Sequence, residues 1–203
     1  MSVCRALLVG GSLARPSHTG SLLCAAERAL DMQGAVVERW DLAERPLPIA
    51  DPALHSQPAA LLADPVCAFL RGVSRADAIA LASPLYHNSY SGVLKNALDH
   101  LGTRALEGKP VALLSHSGHL PSPQAVDQLR LVVRALLGIA IPTQVITVDR
   151  DWAREEGGFR LIPGAIEARL TAMTSELLWF AERLDGAAYA FQPVEQPAGA
   201  LKR

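Results

Sequence analysis

The sequence predicts an α/β fold, a doubly wound five-stranded parallel sheet with helices on both faces. Three observations carry this expectation. Five short apolar runs alternate with five stretches whose apolar residues recur at helical spacing. That alternation argues for an open parallel sheet covered on both sides. The 203 residues are half apolar and 19% charged, enough for one sizeable core, with no internal repeat and no second domain.

The elements follow in order. Val3 to Val9 reads as a buried strand. From Thr19 to Met32, Leu22, Leu23, Ala26, Ala29 and Leu30 fall at helical spacing, and Gly34 ends the helix. Ala35 to Trp40 is the second strand, followed by a loop with Pro46, Pro48 and Pro52. Asp64 and Pro65 open a helix to Ser74, as N-cap and first helical residue. Ala78 to Ala82 is the third strand and Gly92 to Leu101 a helix. Val111 to Leu114 is the fourth strand, and Gln124 to Leu137 its helix. Gln144 to Val148 is the fifth strand, and Pro163 to Leu184 a long final helix. The domain spans residues 1–186, and 187–203 form a proline-containing tail without a period.

The bulk numbers exclude several functions. A net charge of -1 gives no electrostatic footprint for nucleic acid or anionic lipid. No apolar run reaches bilayer length, and the chain starts without signal-peptide regions. The cysteines Cys4, Cys24 and Cys67 are scattered, which fits a reducing cytoplasm.

Ligands of such sheets bind at the carboxyl ends of the strands, beside the switch point. Three loops lie there. The first, Gly10–Thr19, lacks both the Walker A ending and a G-x-G-x-x-G fingerprint. Asp41 then reads as a solvated strand end. Ser12, Ser17 and Thr19, backbone N–H groups and a helix N-terminus suit a phosphate monoester, with Arg15 as an added cation. Equally, Ser17 or Thr19 can simply cap the helix. In the second loop Pro84, Asn88 and Gly92 suit a tight loop leading into a helix, and Tyr86, His87 and Tyr90 offer flat or polar surfaces to an aromatic ring. Tyr86 and Tyr90 also read as core or interface aromatics. Lys95 and Asp99, a helical turn apart, read as a surface ion pair. The third loop holds Ser115, His116, Ser117, Gly118 and His119. No carboxylate or cysteine in it completes a metal site, so its histidines read as solvated. The chain has no G-x-S-x-G elbow.

Phosphate donors on one loop and rings on two others describe a flavin mononucleotide site. The stretch "SPLYHNSYSGVLKNALDHL" resembles the signature of the NADPH-dependent FMN reductase family, roughly T-P-x-Y-x-x-x-x-x-G-x-L-K-N-x-x-D. Pro84, Tyr86, Gly92, Leu94, Lys95, Asn96 and Asp99 match. Tyr90-Ser91-Gly92 and "ALEGKPVALL" resemble in particular the reductases of sulfonate-utilising two-component monooxygenases. The resemblance implies a flavodoxin-like fold, FMN as cofactor and NADPH or NADH as co-substrate. It implies Ser12, Arg15, Ser17 and Thr19 at the phosphate, and the second and third loops around the ring. Arg15 comes one residue late against the family's G-S-x-R-x-x-S. Leu85 and His87 stand where many members carry glutamate and asparagine. Ser117-Gly118 keeps one of two usual glycines.

The expected activity is hydride transfer from the nicotinamide to FMN and on to an acceptor. That acceptor is free flavin for a partner monooxygenase or, alternatively, a quinone, azo or nitro compound. A non-enzymatic electron carrier is the reading of another class. The near-neutral charge and "GGSLARPSHTG" argue against it, because carrier flavodoxins are typically acidic with threonine-rich phosphate loops. The resemblance also implies a homodimer or homotetramer. The stripe Val93, Leu94, Ala97, Leu98 and Leu101 reads as wider than one sheet face needs, and Tyr86–Leu101 as the interface.

Overall fold

A computed structural model describes residues 3–51, 53 and 64–184. The 187–203 tail and the stretch after Asp51, Ala53 apart, lie outside the described residues. One parallel sheet comprises β1 (Arg5–Gly10), β2 (Val36–Asp41), β3 (Ala78–Pro84), β4 (Pro110–His116) and β5 (Ile139–Thr147). Its order is β2-β1-β3-β4-β5, with every pair parallel. The helices are α1 (His18–Met32), α2 (Asp64–Arg75), α3 (Gly92–Asp99), α4 (Gln124–Ala135) and α5 (Ala165–Leu184). This is the expected flavodoxin-like architecture. The order reverses between β1 and β3, so the crevice opens between the loops that follow them.

Strand alternation divides the core in two. Leu8, Ala80, Ala82 and Leu114 face α1 and α5. Leu7, Val9, Ile79, Leu81 and Leu113 face α2, α3 and α4. On α3, Leu94, Ala97, Leu98 and nearby Leu101 are all at most 5% exposed and belong to that second core. The α3 stripe is therefore consumed inside the subunit. Contrary to the expectation, it is not too wide for the chain's own core: α2 and α4 fill what the sheet leaves.

Two side chains hold the layers in place. Lys109 Nζ donates to the carbonyls of Val73 (2.6 Å), Ser74 (2.9 Å) and Ala76 (2.7 Å), capping the C-terminal end of α2. Burial lowers its pKa, an effect opposed by Asp77. Asn96 donates to Pro48 O and accepts from Ala50 N, both at 2.8 Å, pinning the proline-rich loop.

Two differences from expectation stand at the sheet's edge. β5 begins at Ile139, five residues before the predicted Gln144. Pro142 breaks the strand signal, but an edge strand tolerates proline at a bulge. The register slips there, between Val111 and Leu113 of β4. Arg130 satisfies the bulge, donating to Ile141 O (3.0 Å) and Pro142 O (3.1 Å). An unexpected antiparallel hairpin, β6 (Trp152–Glu155) and β7 (Gly158–Leu161), precedes α5. Its turn uses Gly157 at φ 82°. Among the described residues, no helix is long and apolar enough to cross a membrane.

Candidate functional site

The first loop leaves β1 through a close approach. Gly11 N donates to Ala82 O (2.8 Å), and Ser91 Oγ donates to Gly11 O (2.6 Å). A Cβ at residue 11 would lie 2.8 Å from Leu94 Cβ and 2.9 Å from Ser91 Oγ. The loop then turns past buried Ser12, whose Oγ accepts from Ala14 N (3.3 Å). Ser17 is the N-cap of α1, accepting from Gly20 N (2.9 Å). The next N–H groups, at the start of α1, have no intrahelical acceptor. Thr19 is buried in that first turn. Arg15 pairs instead with Asp41 (2.8 Å) and Glu44 (3.7 Å). Asp41 is 8% exposed and also accepts from Ala43 N (3.0 Å), so the expectation of a solvated strand end is corrected.

The second loop follows Pro84, which is buried at the end of β3. Tyr86 and Ser89 exchange both backbone hydrogen bonds at 2.9 Å around His87 (φ 49°) and Asn88 (φ 63°). Two successive left-handed residues make a tight primed turn, and asparagine and histidine tolerate it better than most. The turn lifts Tyr86, His87 and Asn88 into solvent. Gln128 of α4 braces it, donating to Asn88 O (2.9 Å) and accepting from Ser89 Oγ (2.5 Å). Behind it, Ser91 N donates to Ser83 Oγ (2.9 Å), and Ser91 caps α3. Lys95 and Asp99 form the expected i,i+4 pair at 2.6 Å.

Leu85 N donates to His116 O (2.8 Å), which joins the second loop to the third. Ser115 lies at the end of β4, fully buried, and its Oγ has no partner among the described residues. Ser117 N donates to Thr147 O (3.0 Å), and Ser117 Oγ donates to Leu120 O (2.7 Å). Gly118, at φ 73°, accepts from Asp149 N (2.9 Å) through its carbonyl.

The histidines are not the solvated pair expected from sequence. His119 is exposed, but its Nδ1 lies 2.9 Å from Asp149 Oδ2. The His116 side chain is only 12% exposed. Its Nδ1 is 3.1 Å from Thr147 Oγ1 and its Nε2 3.2 Å from Asp149 Oδ1. His18, the first residue of α1, stacks on its face with centroids 4.1 Å apart. Phe159 of the unexpected hairpin covers the other face of His18 at 3.6 Å, and Trp152 leans on it at 5.8 Å. Burial lowers the His116 pKa and the neighbouring His18 adds to this, opposed by Asp149. Burial likewise lowers that of His18.

The fold thus brings the three loops to one edge, with the hairpin as a side wall. Gly11, Ser91 and Gln128 tie them together, yet sequence reasoning named none of them as site residues. The Ser-Gly before α3 was an N-cap signal that could have exposed Ser91. Gln128 sits mid-helix, without any local signal.

Known proteins share the sequence and the fold. A family described as NADPH-dependent FMN reductase matches residues 4–153. The chain is 38% identical to an FMN-dependent NADPH-azoreductase of Staphylococcus haemolyticus, over 76% of this chain and 82% of that one. It is 34% identical to an FMN-dependent NADPH-azoreductase of Staphylococcus aureus, over 87% and 94%. An oxidoreductase structure from Corynebacterium diphtheriae superposes with a TM-score of 0.69 at 21% identity, covering 89% of this chain and 98% of that one. With three quarters of its length matched by the family and relatives above 30% identity, the chain belongs to the NADPH-dependent FMN reductase family.

Proposed function

We propose that the protein reduces azo and quinone-type acceptors directly, with electrons taken from NADPH through FMN. Family membership makes it an oxidoreductase working with these two cofactors. The acceptor class rests on one observation, the identity to the staphylococcal azoreductases. The flavin-supplying role with a monooxygenase rests only on Tyr90–Gly92 and "ALEGKPVALL". Multiple turnover separates the two readings. Protein carrying FMN but freed of unbound flavin should decolorise an azo dye with NADPH. Dye loss that needs added free flavin would favour the supplier role.

The residues present fit FMN. Gly11 lets the first loop pack directly on Leu94, Ser91 and Ala82, which sets the course of the chain into the start of α1. The open N–H groups of α1, with the Ser12, Ser17 and Thr19 hydroxyls, suit a phosphate. Ser17 Oγ accepts from Gly20 N, which leaves its own proton to donate. Arg15 is engaged with Asp41 and Glu44, so the seat rests on the hydroxyls and N–H groups rather than on its charge. Pro84–Asn88 and the backbone of Ser115–Gly118 would hold the ring. When bound, FMN supplies the hydride-accepting and hydride-donating chemistry. The chain's residues orient it, and the rigid Tyr86–Ser89 turn presents Tyr86, 51% exposed, as a flat surface for a planar acceptor. Each hydrogen bond to a charged phosphate is worth about 1.5–3 kcal/mol. Ser17→Ala should therefore weaken FMN binding roughly tenfold, with riboflavin affected little. Equal loss for both would reduce Ser17 to a helix cap.

Assembly into a homodimer or homotetramer is part of the same proposal. An apolar groove between α3 and α4, with Leu131 at 61% exposure on its rim, supports it.

A further inference from the structure

We infer that His18, His116, His119 and Asp149 form a binding site for one divalent transition-metal ion, zinc by its chemistry, where β4 and β5 end. The third loop alone offers histidines without a carboxylate. The fold supplies Asp149 from the end of β5 and His18 from the start of α1. Ligand atoms of His18, His116 and Asp149 all lie within 4.8 Å of one another.

The spacing suits a metal. Two ligands about 2.1 Å from a tetrahedral centre stand about 3.4 Å apart. His116 Nε2 and Asp149 Oδ1 are separated by 3.2 Å. The other Asp149 oxygen is already 2.9 Å from His119 Nδ1, so the exposed His119 can close the set by a side-chain rotation. His18 lies parallel to His116, with 10° between the rings. Ligation asks it to turn about χ2, off the Phe159 face.

The ring of His116 lies between Thr147 Oγ1, 3.1 Å from its Nδ1, and Asp149 Oδ1, 3.2 Å from its Nε2. With the Nδ1 proton given to Thr147, in the way outer partners orient metal-binding histidines, Nε2 would share a cation with Asp149 in place of a proton. Imidazole and carboxylate donors suit zinc and its first-row neighbours. The ion would clasp the first turn of α1 to the ends of β4 and β5.

The test uses FMN-loaded protein, stripped with a chelator, desalted and dialysed against zinc chloride. One zinc per chain is expected, and a higher unfolding temperature as zinc rises. Cobalt in place of zinc should give the visible bands of a tetrahedral nitrogen and oxygen site. Asp149→Asn and His116→Gln should each lower zinc affinity by about tenfold or more. His100→Gln, at a ring bonded to Pro48 O instead, should leave zinc content unchanged. If His116→Gln fails to fold, Asp149→Asn, at a side chain 42% exposed, decides alone. No zinc bound, or zinc binding indifferent to Asp149→Asn, overturns the inference.

Discussion

Gly11→Ala should cost the protein both its FMN and much of its stability. The new methyl would meet Leu94 Cβ at 2.8 Å, Ser91 Oγ at 2.9 Å and Ala82 O at 3.1 Å. One of these is backbone in a central strand, and another is a fully buried residue of α3. None is the far end of a flexible chain free to swing away. Relief requires the first loop to move off β3, breaking the Gly11–Ala82 and Ser91–Gly11 hydrogen bonds. Overpacking of this kind costs roughly 1–3 kcal/mol, or several degrees of unfolding temperature at this length. The displaced loop is the proposed phosphate seat, so flavin content should fall with it. Gly92→Ala is the control, because a Cβ there meets nothing within 4 Å. Thermal unfolding and flavin content of the two variants read both effects. Equal behaviour would show that the close packing around Gly11 is unimportant.

Leu98→Glu should unfold the subunit. Leu98 is 3% exposed in the core beneath α3. Losing a buried leucine costs about 2–5 kcal/mol, and a buried carboxylate without a partner adds its desolvation. That sum rivals the whole stability of a typical domain, about 5–15 kcal/mol. Leu131→Glu, on the exposed rim of the α3–α4 groove, should leave the fold intact. If the groove is the subunit interface, light scattering should show that variant as a smaller species. A folded Leu98→Glu protein that merely dissociates would restore α3 as the interface helix.

The contrast between these leucines shows what the sequence made legible. Periodicity located α3 and its apolar stripe, but periodicity cannot say how many elements share one face. The strands at the sheet's centre were located to within two residues at each end, because apolar runs such as Ala78–Ala82 have no competing signal. β5 was cut short because Pro142 looks like a terminator until the strand is known to lie at an edge. The β6–β7 hairpin is only four residues a side, and its single buried face is shared with His18, far off in sequence. The site residues fared similarly. The loops could be named from the switch-point rule and the reductase-like motif. Partners set by tertiary contact, such as Arg15 with Asp41 or His116 with Asp149, had no local trace. Gln128 acts on a turn 40 residues away, and its helix reads like any other.

The central claim is that this chain passes electrons from NADPH through FMN to an acceptor that meets the same site. Anaerobic rapid mixing tests it most directly. The FMN-loaded protein is mixed with NADPH while the visible absorbance of oxidised flavin is followed, and an azo dye or quinone is added once the change is complete. The account predicts loss of that absorbance on the first mixing and its return on the second, with the dye or quinone consumed in step. Flavin that keeps its oxidised spectrum with NADPH and with NADH would contradict it.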